Sequence, residues 1–202
     1  MIALSAVISS PTLNIAQSKL PIPGVGSHRI DTLLDPRSVS TAMTRKWRIL
    51  LVDDDADFRQ VFRSGLKKSG LNADLFDVKD GFAAINYLLG KEPYADREQF
   101  PFPDLAFIDL KMPRMDGLEL LKRLQGKVGL QNLPVIVLTG SDTPADVASA
   151  YSAHASAFHH KPPEFDGLVA MLKTIVPLWI NTYSNGENSK QREKWVFPQG
   201  IQ

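Results

Sequence analysis

The chain has 202 residues, 44% of them hydrophobic, and its 23 Lys and Arg against 22 Asp and Glu leave a formal charge of +1. That balance excludes a wholly disordered polyelectrolyte and lacks the basic footprint of a nucleic-acid binder, so no nucleic-acid partner is expected. Cysteine is absent, which excludes disulfide scaffolds, thiolate zinc sites and cysteine nucleophiles. No apolar run approaches the ~18–20 residues a membrane span needs.

The first 46 residues hold Pro11, Pro21, Pro23 and Pro36, many Ser and Thr, and only the acids Asp31 and Asp35. Such composition buries too little apolar surface to offset chain entropy. Residues 1–45 are therefore expected to be an extension, either disordered or the product of an upstream start ahead of Met43. Trp47 to Val52 is a β-rich run ending in acids, as a buried parallel strand would be. Phe58, Val61, Phe62, Gly65 and Leu66 recur at helical spacing, with Asp55 placed to cap them. Ala73 to Val78 is a second strand pattern. Asp80 then opens a helix whose stripe of Phe82, Ile85, Leu88 and Leu89 stops at Gly90. A polar, Pro-containing loop runs from Lys91 to Pro103.

Leu105 to Ile108 is a short apolar strand that stops at Asp109. Leu118, Leu121 and Leu124 mark the next helix, and Val135 to Leu138 a strand ending at Thr139. Val147, Ala150 and Tyr151 suggest a fourth helix, and Ala157 to His160 a fifth strand. Phe165, Leu168, Val169, Leu172, Ile175, Val176 and Trp179 give the last helix a wide apolar face. Residues 182–202 read as a tail, polar except for Trp195, Val196 and Phe197. Five βα units in about 135 residues, 46–181, make one domain of ordinary size. The class is α/β: a doubly wound parallel sheet with helices on both faces.

In such a sheet the working crevice lies beyond the carboxyl ends of the strands. The first strand delivers Asp53, Asp54 and Asp55 there, the third Asp109, the fourth Thr139 and the fifth Lys161. Any one Asp after a strand is ordinarily a helix cap, but the whole set converging on one rim is not explained by capping. Crowded carboxylates repel unless a cation joins them, and Mg²⁺ takes such oxygens readily. Acids, a lysine and a hydroxyl around a hard cation form a phosphoryl-transfer site, and a carboxylate there can itself become the phosphoryl acceptor.

Over Lys46 to Ile180 the chain resembles the receiver domain of two-component response regulators. The likeness rests on Ile49-Leu50-Leu51-Val52-Asp53-Asp54, on Phe107-Ile108-Asp109-Leu110-Lys111-Met112-Pro113-Arg114-Met115-Asp116-Gly117, on Val137-Leu138-Thr139-Gly140 and on His160-Lys161-Pro162, in that order. The resemblance implies a flavodoxin-like (βα)5 fold with strand order 2-1-3-4-5. It implies Asp109 as phosphoacceptor, Mg²⁺ held by Asp53, Asp54, Asp109 and the Lys111 carbonyl, and Thr139 and Lys161 as groups that bind the phosphoryl. Phe158 stands where the family has a switch aromatic, and Lys161-Pro162 where it has a cis peptide. Asp116 shapes the turn into the third helix, and His159 and His160 form no ligand set.

The segment Lys91 to Phe102 and the ending Pro177-Leu178-Trp179-Ile180-Asn181 are similar to phytochrome-associated regulators of single-domain type. The implied function is a stand-alone, cytoplasmic phosphorelay component that is not an enzyme. It would take its phosphate from a sensor histidine kinase of phytochrome type, or from a phosphotransfer protein. It would carry no DNA-binding output domain and would dimerise through the last helix. One alternative is a haloacid-dehalogenase-type phosphatase using Asp53-x-Asp55, Thr139 and Lys161; against it, Asp57 stands where that family has Thr or Val, and the Asp109 to Gly117 stretch goes unexplained. The other is a docking module that works without phosphorylation.

Overall fold

The computed structural model describes residues 46–125, 133–141 and 143–184. The expected extension, residues 1–45, and residues 185–202 of the expected tail lie outside that set. Strand β1 (Trp47–Val52) lies between β2 (Ala73–Val78) and β3 (Leu105–Ile108), with β4 (Val135–Thr139) and β5 (Ala157–His160) following beyond β3. All four pairings are parallel, so the order is β2-β1-β3-β4-β5, as the resemblance implies. Helices α1 (Ala56–Ser69), α2 (Gly81–Leu89), α3 (Gly117–Leu124), α4 (Pro144–Ser152) and α5 (Phe165–Ser184) alternate with the strands.

Successive strand residues face opposite sides, which is why continuously apolar strands feed two cores. Ile49, Leu51, Phe107, Ile136 and Leu138 pack with Phe62 and Leu66 of α1 and with Leu168, Leu172 and Val176 of α5. Leu50, Val52, Ala106, Ile108 and Val137 face Ala84, Leu88, Leu120, Leu121 and Ala150 of the other three helices. Each fully buried Leu, Ile or Phe contributes ~1.5–3 kcal/mol, so the strand ends that carry the acids are anchored in a well-packed core.

Two helix starts follow the capping residues read from sequence: the Asp55 carboxylate accepts from the N–H groups of Asp57 and Phe58, and that of Asp80 from Ala83. Asp116, read as shaping the turn into the third helix, caps that helix by accepting from Glu119 N–H. Two readings are corrected. The bond Lys161–Pro162 is not cis; among the described residues the cis peptide is Glu92–Pro93. The two isomers of an X–Pro bond differ by only ~0.5–1 kcal/mol, so local sequence does not choose between them. The last helix also runs past Trp179 to Ser184, through Pro177. Proline removes one backbone donor there, yet Val176 and Ile180 on either side are both buried, and their packing holds the helix together. Among the described residues no helix is long and apolar enough to cross a membrane.

Candidate functional site

The sheet order brings the ends of β1 and β3 side by side, and their ladder hydrogen bonds continue into the acids. Asp53 N–H donates to the Val78 carbonyl at 3.1 Å, and Asp109 N–H donates to the Val52 carbonyl at 2.9 Å. Arg59 adds a further restraint, its Nη1 donating to the Asp53 carbonyl at 2.6 Å while its Nε reaches Asp77 at 3.1 Å. On the neighbouring pair, Lys161 N–H donates to the Thr139 carbonyl at 2.8 Å. Backbone pairing therefore fixes where four of the expected site residues begin.

Asp53, Asp109 and Thr139 are buried, whereas Asp54 is exposed. One carboxylate oxygen from each of Asp53, Asp54 and Asp109 lies within 4.8 Å of the others. Lys161 Nζ approaches Asp53 Oδ2 at 2.8 Å and Asp109 Oδ2 at 3.3 Å. Asp53 Oδ1 accepts from the Asp55 N–H at 3.0 Å. The buried Asp109 Oδ1 has no hydrogen-bond partner. Burial pushes the Asp53 carboxyl above the ordinary carboxylate range; Lys161 opposes that shift, and the neighbouring Asp109 charge adds to it.

Three carboxylates facing one ammonium leave a negative excess, and the buried Asp109 Oδ1, with no hydrogen-bond donor beside it, is an oxygen suited to coordinate a cation. Both features fit a divalent cation with oxygen ligands. Gly140, beside Thr139, has open space where a side chain would sit, which leaves room next to the hydroxyl for a phosphoryl group. The Thr139 hydroxyl oxygen accepts from Ser141 N–H at 3.4 Å.

The remaining predicted residues lie around this centre. Lys111 follows Asp109 by two positions, and its ammonium turns outward to Asp146 Oδ1 at 3.4 Å. Phe158 is half-buried on β5, pairs with Val137 and packs against the core on the α2–α3–α4 side. His160 is exposed, with Nε2 3.1 Å from the Gly140 carbonyl.

Two features escaped the sequence reading. Ser141 Oγ donates to Asp146 Oδ2 at 2.5 Å, so Asp146 joins the loop after β4 to Lys111 in the loop after β3. The Phe58 ring, read as part of the α1 apolar stripe, has its centroid 4.2 Å from Lys161 Nζ. An aromatic three residues after the acid run Asp53 to Asp55 was the available signal.

The model of the response regulator receiver domain matches residues 49–173, more than half of the chain. The chain belongs to the response regulator receiver family. Among its relatives is response regulator Rcp1 of Synechocystis sp., 32% identical over 66% of this chain and 89% of that protein. The Mn²⁺-bound structure of Rcp1 superimposes with a TM-score of 0.59, covering 67% of this chain and 96% of the other. The phosphorylated cyanobacterial phytochrome response regulator RcpA is 28% identical, with a TM-score of 0.62 over 68% and 96% of the two chains. The regulator RPA3017, from red light signalling in R. palustris, is also 28% identical, with a TM-score of 0.64 over 67% and 95%. Membership in this family sets aside the phosphatase alternative. Receiver domains bind Mg²⁺ at their acidic site, and the Asp53, Asp54 and Asp109 carboxylates fit that ion.

Proposed function

We propose that this receiver accepts a phosphoryl group on Asp109 from a histidine kinase or phosphotransfer protein in the cytoplasm, and switches a protein-binding surface. The observation that carries the reading is the Lys161 ammonium held between Asp53 and Asp109 in a cluster of three carboxylates. An Asp109 carboxylate oxygen attacks phosphorus in line; the O–P bond forms as the P–N bond of the donor phosphohistidine breaks, and the imidazole leaves with the bond's electron pair. Asp53, Asp54, Asp109 and the Lys111 carbonyl would hold Mg²⁺. That ion supplies charge neutralisation between the carboxylates and the phosphoryl oxygens.

The chain's own groups account for the rest. Lys161 offers its ammonium to one phosphoryl oxygen, and the Thr139 hydroxyl donates to another. Movement of Thr139 toward the phosphoryl frees space for Phe158, so phosphorylation shifts a population between two arrangements of the β4–α4–β5–α5 face. On this reading the chain is a signalling module rather than a turnover enzyme.

Incubation with Mg²⁺ and acetyl phosphate should attach one acid-labile phosphoryl group, and Asp109→Asn should abolish it with the fold intact. Stoichiometric labelling of that variant at another carboxylate would sink the assignment; absence of labelling in the native chain would favour a phosphorylation-independent docking module. RcpA is a cyanobacterial phytochrome response regulator and RPA3017 belongs to red light signalling, which supports a phytochrome-type kinase as donor. Faster transfer from such a kinase than from an unrelated one would test it. Leu178 is exposed on α5, and the Trp179 and Tyr183 rings meet on the same helix at a tilt of 40°, centroids 5.9 Å apart, which supports α5 as a dimer face. The association state with and without beryllofluoride decides that point.

A further inference from the structure

Phe58 stands in the first turn of α1, where the Asp55 carboxylate accepts its backbone N–H at 3.1 Å. Its ring makes an edge contact with Phe62, centroids 6.3 Å apart. Phe62 is fully buried and meets Phe107 of β3, two residues before Asp109, at 5.2 Å. The ring is thus braced from the core, and it lies 4.2 Å from the Lys161 ammonium that also contacts Asp53 and Asp109. A lysine head group on a four-carbon stem is flexible and has no directional fork of its own. The negative face of an aromatic ring attracts a cation, and more strongly where water is partly excluded.

We propose that Phe58 is a positioning residue for phosphoryl transfer, its ring steering the Lys161 ammonium into the gap between Asp53 and Asp109. This rests on the reading of Asp109 as phosphoacceptor. The competing account is that Phe58 fills space in an apolar helix stripe, as any residue of similar volume would. The two differ in whether the ring itself matters.

Full-length Phe58→Leu and Phe58→Met remove the ring, whereas Phe58→Tyr keeps it; two ringless variants guard against one failing to fold. In the unphosphorylated native protein, the Lys161 ε-methylene protons should resonate upfield because of the ring current. That displacement should persist in Phe58→Tyr and vanish in the ringless variants. Phosphorylation by acetyl phosphate with Mg²⁺ should slow ~5–10-fold in the folded ringless variants and stay within ~twofold of native in Phe58→Tyr. Native rates in a folded ringless variant, equal slowing in Phe58→Tyr, or unshifted lysine protons in the native chain would each overturn the proposal. A native chain that takes no phosphate while its lysine protons are shifted would instead locate the failure in the Asp109 reading.

Discussion

A Cβ placed on Gly117 would lie 2.3 Å from the Asp109 carbonyl oxygen and 2.9 Å from Leu110 Cα. Gly117 N–H also donates to the Leu110 carbonyl at 3.0 Å, so the first residue of α3 is seated directly on the backbone that carries Asp109. Backbone cannot swing aside as a side-chain tip would. Gly117→Ala should therefore cost ~1–3 kcal/mol and slow labelling of Asp109 by displacing its carboxylate. Chemical denaturation at unchanged m-value checks the first effect, and labelling rates the second. Native values for both would show that the loop yields freely.

Mg²⁺ should raise thermal stability, because it binds the folded acid cluster and relieves its repulsion. Saturation at about a hundred times the dissociation constant is worth ~2.7 kcal/mol. Asp54 is exposed, so Asp54→Ala should leave the metal-free melting temperature nearly unchanged and remove most of the Mg²⁺-dependent rise. Equal rises in native and variant protein would place the ion elsewhere.

Arg97 organises the segment between α2 and β3. Its Nη1 donates to the carbonyls of Tyr87 at 2.7 Å and Phe100 at 3.1 Å, and its Nη2 donates to Leu88 at 3.0 Å. Two of those carbonyls belong to the last turn of α2, where helix acceptors lack partners. Arg97→Ala should destabilise by ~1–3 kcal/mol, and Arg97→Lys should recover little because an ammonium lacks the planar fork. Urea midpoints of the two variants decide the matter.

His159 is half-buried on β5, and burial depresses its imidazole below the ordinary 6.5. The folded chain then binds this proton less readily than the unfolded chain. Stability from this group is complete above pH 6.5 and declines as pH falls from there through the depressed folded value. His159→Gln should flatten that part of the stability profile, measured by urea unfolding between about pH 7.5 and 5. An unchanged slope would assign the acid sensitivity to other groups.

Much of this protein is legible without coordinates. Runs such as Ile49 to Val52 and Leu105 to Ile108 are apolar on both faces, which only a doubly covered strand accommodates, and Asp55 and Asp80 announce helix starts through their local hydrogen-bonding chemistry. Acids at strand ends were enough to suggest a cation and phosphoryl chemistry. These signals are local: each depends on a residue and its near neighbours in the chain. What the sequence left open involves distant partners. The Lys161–Pro162 bond turned out trans where the likeness implied cis, and α5 continues through Pro177 against proline's strong helix-breaking preference because Val176 and Ile180 are buried beside it. Gly117 reads as a turn glycine until Asp109 is seen beneath it. Phe58 reads as one more apolar helix residue until the sheet order carries β5 across the domain and sets the Lys161 ammonium over its ring, because a ring's face acquires chemical meaning only from the charge that tertiary structure places against it.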